Sequence, residues 1–444
     1  VRETALTRTE FGKEKAVLML RGVIAFGMMF VLAATLCDKA EAKTKSGAKP
    51  KASSTQKAAP AKKSRKPKPK TEKKSPPRTE QKPAPEPEVP VSAICVEAET
   101  GMILFEENAD LPRPPASMVK LMQILLVTEG VASGAWKLDQ SITVSKNAEG
   151  MGGSQVYLKM NDTWPLDTLM QAMAVASAND AAMAVAEGLW GSKEKCLEAM
   201  NARAKELGMS ATVYRSVHGL PPAKGEEPDV TTARDMATLG RECAKHSEIF
   251  RWTGMKEFKL RPEEAPHAST NKMLWTMPDC DGFKTGYIRL AGFCITATAK
   301  RNDIRLIAVV MGDDKRGRNK FAEQMMDEGF AALTRKKIVS QGDMLGDSIP
   351  VEKCMTPEIK LTAGNDVWVI VKKEDESKIE VVFDRPPKLM PPVAAGTVLG
   401  EFRVQLNGTI LGKGPLLSPV ELKPKTLWER LFGSAPASTN APAA

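Results

Sequence analysis

The 444-residue sequence has room for two or three domains, and its formal net charge of +10 points first to a nucleic-acid or membrane partner. Locating the charge removes the nucleic-acid reading: residues 43–90 hold 15 Lys/Arg against 4 Asp/Glu, net +11, residues 1–42 add +1, and −2 is left for residues 91–444. No basic folded domain remains to track phosphates, and 3 histidines without a recurring ligand pattern make a histidine-based metal site unexpected.

Residues 1–42 predict a targeting segment with some upstream extension. Arg21 precedes a mostly apolar run, Gly22 to Cys37, and Ala40-Glu41-Ala42 offers small residues for a signal peptidase. A cleaved export signal is the first reading and a retained anchor the second, because the run is shorter than the ~20 residues that span a bilayer. Residues 43–90 are Lys, Pro, Ala, Ser and Glu with almost no large apolar side chain, so a disordered linker is expected. Its positive charge suits an anionic membrane surface or an acidic wall polymer, or serves as a solubilising spacer. The cysteines that follow show no Cys-x-x-Cys spacing, and their pairing is left open.

The folded part is expected to begin at Val91. Two apolar runs up to Glu107, broken at Ala98-Glu99-Thr100-Gly101, predict a β-hairpin. Pro115-Ala116-Ser117-Met118-Val119-Lys120 then sets a serine one helical turn ahead of a lysine, and the apolar run from Met118 to Val127 reads as a buried helix. At i, i+3 on a helix Ser117 and Lys120 share a face, so an unprotonated Lys120 amine could take the Ser117 hydroxyl proton. Ser-x-x-Lys also begins at Ser46, Ser54, Ser192 and Ser269, but only Ser117 follows a proline break and leads an apolar helix. The bland alternative is a capping serine beside a solvated lysine.

Short strands are predicted around 142–144 and 155–158, joined by Gly150-Met151-Gly152-Gly153, which matches no phosphate-binding pattern. Residues 165–176 and 181–189 read as buried helices. Between them Ser177-Ala178-Asn179 places a hydroxyl and an amide in a short break, where they serve either a cap or a catalytic cavity. Helices over 193–207 and near 232–246 flank His218-Gly219-Leu220-Pro221 and a polar loop. Strands are predicted at Asp281-Gly282-Phe283-Lys284-Thr285-Gly286-Tyr287, at 292–299 and at 304–311, closed by a helix over 319–332. From Val339 short alternating strands at 367–372, 379–383, 398–405 and 416–422 predict a separate small β domain, 339–424. Within 425–444, Thr426 to Phe432 forms an amphipathic turn or two suited to peripheral membrane contact, ahead of an Ala/Pro/Ser tail.

Ser117-x-x-Lys120, Ser177-x-Asn179 and Lys284-Thr285-Gly286 follow in the order shared by penicillin-binding proteins and class A β-lactamases. Residues 91–422 resemble the low-molecular-mass penicillin-binding proteins of the D-alanyl-D-alanine carboxypeptidase family. Beyond the motifs, the resemblance includes Ala176-Ser177-Ala178-Asn179-Asp180, the helix from Met200 to Gly208, His218-Gly219-Leu220, Asn271, Ala291-Gly292-Phe293 and Gly329-Phe330. It implies an α+β fold: a penicillin-binding/β-lactamase-like domain over 91–338, with an antiparallel sheet and helices, followed by the small all-β domain.

The resemblance further implies a serine carboxypeptidase that removes the terminal D-alanine from peptidoglycan stem peptides through an acyl-enzyme. Such an enzyme is acylated by β-lactam antibiotics, needs no cofactor and works on the periplasmic or wall side of the bacterial inner membrane. Ser117 is then the nucleophile, Lys120 its base and Ser177 the proton relay to the leaving amine. Asn179 holds the substrate amide, Lys284 and Thr285 bind the terminal carboxylate, and Gly286 lets the strand lie close to substrate. The backbone N–H groups of Ser117 and Tyr287 form the oxyanion hole. The family often has Gly where Ala178 stands and His where Tyr287 stands, which puts any side-chain role of that His in doubt. His218 matches a family position near the site, with a hydrogen-bonded structural histidine as the other reading. Arg316 and Arg318 are either further carboxylate contacts or solvated loop charges. A β-lactamase would need a carboxylate for its deacylating water, and no Glu-x-x-x-Asn follows Asn179 where such an enzyme carries it. A D,D-endopeptidase shares the motifs, and a non-catalytic wall-binding scaffold would show a broken one.

Overall fold

The computed structural model describes residues 90–432; the predicted export signal, the linker up to residue 89 and the tail beyond Phe432 lie outside the described residues. β1 (Ser92–Glu97) and β2 (Ile103–Glu107) form the predicted hairpin, and Gly101 takes the left-handed turn position at φ +78°. β3 (Cys280–Ile288), β4 (Gly292–Arg301) and β5 (Ile304–Asp313) join them in one antiparallel sheet of order β2-β1-β5-β4-β3. β1 pairs with β5 from Ser92↔Met311 to Glu97↔Leu306, so the segment's first strand lies beside its last.

All but the last of this body's helices lie between these strands in sequence, and together they cover the sheet on both faces. α1 (Lys120–Ala132) carries the apolar run and is buried along most of its length. α2 (Asn179–Trp190) follows the break at Ser177, and α3 (Ala233–Cys243) is capped by the Thr232 side chain. Gly240 of α3 lies against Ile307, whereas Gly329 of α4 (Gly317–Ala332) lies against Leu306. Neighbouring residues of a strand face opposite ways, so α3 and α4 cover opposite faces, which is why β5 is apolar nearly throughout.

The expected strand over 155–158 does not form. Asp180 takes the N–H groups of Val156 and Leu158, each at 3.1 Å, and a carboxylate stands where a partner strand would be. Ser141–Thr143 pairs instead with Thr163–Pro165.

β6 (Leu333–Val339) follows α4 without a linker and pairs with β9 (Val367–Lys372), so the chain enters the second body at Leu333, ahead of the expected division at 338/339. There β7 (Met344–Pro350), β8 (Glu358–Ala363), β10 (Ile379–Asp384), β11 (Val398–Leu406) and β12 (Thr409–Leu417) form a sheet of order β7-β8-β12-β11-β10. The last strand begins well before the expected 416, because Asn407 and Gly408 both adopt positive φ and close a tight hairpin. Phe402, Val404, Leu361, Val371 and Leu416 fill this body's core. The described cysteines are free and buried. No helix among the described residues is long and apolar enough to cross a membrane.

Candidate active site

Ser117 stands on a 3₁₀ turn, Ala116–Val119, that feeds directly into α1, and Ala116 is held in the left-handed region at φ +49°. Two glycine backbones close on this turn. A Cβ on Gly219 would lie 2.1 Å from the Ala116 carbonyl oxygen, and one on Gly286 of β3 would lie 2.6 Å from that of Pro115. Only glycine lets both segments approach so closely.

Lys120 is fully buried. Its Nζ donates to Asn179 Oδ1 at 2.7 Å and to the His218 carbonyl at 2.8 Å, and lies 3.1 Å from Ser117 Oγ. Ser117 Oγ is 3.3 Å from the same carbonyl. Burial, then the nearby Lys284 charge, push the Lys120 amine well below the usual lysine range, against a smaller opposing pull from Asp229 and Asp180.

Across the cleft Ser177 is the C-cap of a π-turn, Ala172–Ala176, and takes φ +60°. Single π-turns of this kind recur at functional sites. The Ser177 hydroxyl accepts from Lys284 Nζ at 2.8 Å, and Lys284 Nζ also donates to the Thr285 carbonyl at 3.1 Å. Burial and the neighbouring Arg318 lower Lys284 to about 7. Thr285 is buried on the same strand, its hydroxyl bonded to that of Thr270 at 2.8 Å. Ser117, Lys120, Ser177, Asn179, Lys284, Thr285 and Gly286 therefore gather in one cleft.

Two predicted residues enter differently than their side chains suggest. His218 meets Lys120 and Ser117 through its backbone carbonyl, while its ring accepts from the Leu220 N–H at 3.1 Å and is lowered to about 4 by burial and then by Lys120. The Tyr287 ring is 54% exposed and stacks on Phe293 with centroids 4.1 Å apart, beside the cleft. Arg318 is no solvated loop charge: it is buried and donates to the Gly286 and Cys294 carbonyls at 3.1 and 3.0 Å, bracing β3 from behind. The glycine-rich 150–153 stretch also belongs here, since the Gly152 carbonyl accepts from Asn179 Nδ2 at 2.6 Å. Because a carbonyl can only accept, this bond fixes Asn179 Oδ1 toward Lys120. Of the missed residues, only Gly152 and Gly219 left a trace in sequence, as glycines.

One described cluster, Glu129, Glu242 and His246, has the composition of an ion site, but Arg203 already bridges its two carboxylates at 2.7 and 3.1 Å.

The model of a family described as D-alanyl-D-alanine carboxypeptidase matches residues 79–315, and that of a domain described as Penicillin-binding protein 5, C-terminal domain, matches residues 334–424. The chain is similar to D-alanyl-D-alanine carboxypeptidase DacF of Bacillus subtilis, 31% identical over 337 residues that cover 75% of this chain and 85% of the relative. It is also similar to D-alanyl-D-alanine carboxypeptidase DacC of Escherichia coli, 32% identical over 349 residues, covering 73% of this chain and 82% of the relative. Among solved structures, a peptidoglycan synthesis regulatory factor (PBP3) from Streptococcus pneumoniae aligns with a TM-score of 0.62 at 26% identity, covering 75% of this chain and 98% of that one. A likeness that runs through both bodies in the same order, at this identity, makes the chain a member of the D-alanyl-D-alanine carboxypeptidase family.

Proposed function

We propose that the chain removes the terminal D-alanine from peptidoglycan stem peptides through an acyl-enzyme on Ser117. The observation that carries this reading is the set of partners around Lys120. A neutral amine has two N–H bonds and one lone pair. Asn179 Oδ1 and the His218 carbonyl can only accept, so they take both N–H bonds and leave the lone pair to the Ser117 hydroxyl 3.1 Å away. The buried site and its second lysine favour that neutral form.

Ser117 Oγ attacks the carbonyl carbon between the two D-alanines while its proton passes to Lys120. The oxyanion is met by the N–H groups of Ser117 and Tyr287. The Thr285 carbonyl accepts from Lys284 and so faces the cleft, and alternation along the strand turns Tyr287's N–H the same way. Lys284 and Thr285 hold the terminal carboxylate, and Asn179 offers its amide to the substrate backbone. Collapse of the tetrahedral adduct breaks the C–N bond, and the leaving amine takes its proton from Lys120 by way of Ser177. Water then cleaves the ester. β-Lactams enter the same cleft and acylate Ser117. The second body favours this reading over an endopeptidase.

The site of action is the exported side of the membrane, a reading supported by the sequence of residues 1–42 and by the substrate. The Leu427–Phe432 helix adds peripheral membrane contact. The test is D-alanine release from a muramyl pentapeptide by the full-length chain. Ser117→Ala is expected to lower release by at least about 10³-fold and to abolish covalent labelling by a penicillin. A folded wild type that releases no D-alanine would sink the proposal.

A further inference from the structure

We propose that Asp229, outside all three motifs, is a positioning residue for acylation: through Ser216 it fixes the turn that presents the His218 carbonyl to Lys120. The inference rests on the carboxypeptidase reading and deepens it.

Asp229 is only 5% exposed. One of its carboxylate oxygens accepts from the N–H groups of Arg215 and Ser216 at 2.6 and 2.8 Å, and the other accepts from the Ser216 hydroxyl at 2.6 Å. Ser216 Oγ in turn accepts from the Gly219 N–H at 2.8 Å. The carboxylate thus holds both ends of the turn whose middle residue, His218, bonds Lys120 and Ser117. The backbone that follows it is anchored to two segments: Val230 pairs with Val213, and Thr231 pairs with Arg113, two residues before Pro115. The frame that carries Asp229 is the frame that carries the Ser117 turn.

The chemistry that depends on this clamp is the direction of one lone pair. When the His218 carbonyl retreats, one Lys120 N–H loses its acceptor, the amine rotates, and an N–H rather than the lone pair faces Ser117. Substrate still binds, because Lys284, Thr285 and the β3 edge are untouched. The loss therefore falls on the acylation step rather than on binding.

Charge gives a second signature. Lys120 is faced by Lys284 from β3, by Asp180 from α2, and by Asp229 and the His218 ring from the 215–230 segment. The two aspartates raise its proton affinity, whereas burial and Lys284 lower it. Neutralising Asp229 therefore lowers Lys120 further, and the pH below which acylation fails moves down. A residue that merely packed the loop would not move that limb.

The test is single-turnover acylation of the full-length chain by a fluorescent penicillin, from about pH 5 to pH 10, alongside thermal unfolding. In Asp229→Asn the amide oxygen keeps both backbone N–H bonds, so the rate stays within about 5-fold and the acid limb shifts to lower pH. Ser216→Ala lowers the acylation rate constant by about 10-fold, and Asp229→Ala by about 10–100-fold, with the non-covalent affinity unchanged. If Asp229→Ala does not fold, the other two variants decide. An unmoved limb in Asp229→Asn, or a wild-type rate in Ser216→Ala, overturns the role of Asp229 alone. A folded wild type that is not acylated overturns both this role and the carboxypeptidase reading.

Discussion

Both bodies of this chain pair lysines with carboxylates at the surface, but among the described residues only the first buries any. In the first, Lys120 and Lys284 are 0% and 1% exposed, and neither has a carboxylate among its hydrogen-bond partners. In the second, Lys336, Lys337, Lys378, Lys388 and Lys413 stand at the surface, each beside a carboxylate. Ser418 is the only buried polar side chain described after Leu333. Burying an ammonium unpaired costs far more than a surface pair returns. The contrast teaches where that cost is tolerated: in the cleft, where the neutral amine is the form the proposed chemistry uses.

The contrast breaks most sharply at Lys284. Lys284→Met removes the proposed carboxylate anchor and the cation beside Lys120, and is expected to lower kcat/KM for D-alanine release by about 10²–10³-fold. The sign of the pH effect follows. With the positive neighbour gone Lys120 protonates at higher pH, so the acid limb of kcat/KM moves up, as a pH–rate profile would show. Stability moves the other way. Lys284 sits at about 7 in the native chain and near ~10.4 unfolded, so the unfolded chain binds more protons and stability rises with pH across that window. Lys284→Met flattens that rise, measurable as the pH dependence of the urea midpoint.

Phe402→Ala probes the other side of the comparison. It empties part of a core that holds no charge, and is expected to destabilise the second body by about 3–5 kcal/mol in denaturant unfolding. Its effect on kcat/KM for a soluble peptide is small, since no cleft residue comes from that body. The smallest effect is expected from Lys413→Ala. Its pair with Glu401 lies at the surface, where Arg403 also holds that carboxylate, so the unfolding midpoint stays where it is.

Much of the cleft was legible because side-chain chemistry at fixed spacing leaves a trace in sequence. Ser117 and Lys120 are one turn apart before an apolar run, Ser177 and Asn179 sit in a break between buried helices, and Lys284 precedes Thr-Gly on a strand. What escaped acts through backbone or across long separations. The carbonyls of Gly152 and His218 carry no residue-type signal. Asp229 reads as one more acid in a polar loop, and Thr270 belongs to none of the three motifs. Arg318 reads as a carboxylate contact or a loop charge and is neither, because its carbonyl partners come from β3 and β4, far off in sequence. The fold followed the same division. Long apolar runs found their elements, whereas residues 155–158 alternated like a strand and were claimed by Asp180.

Ser117 is walled on two sides by bare main chain, Gly219 on one flank and Gly286 on the other. Side chains have rotamers to yield; a peptide backbone has none at that scale. No single substitution beside the nucleophile can widen or narrow the cleft gradually. Substitutions that tune the fit to substrate are therefore expected at the exposed rim, as at Tyr287, rather than on the two glycine walls.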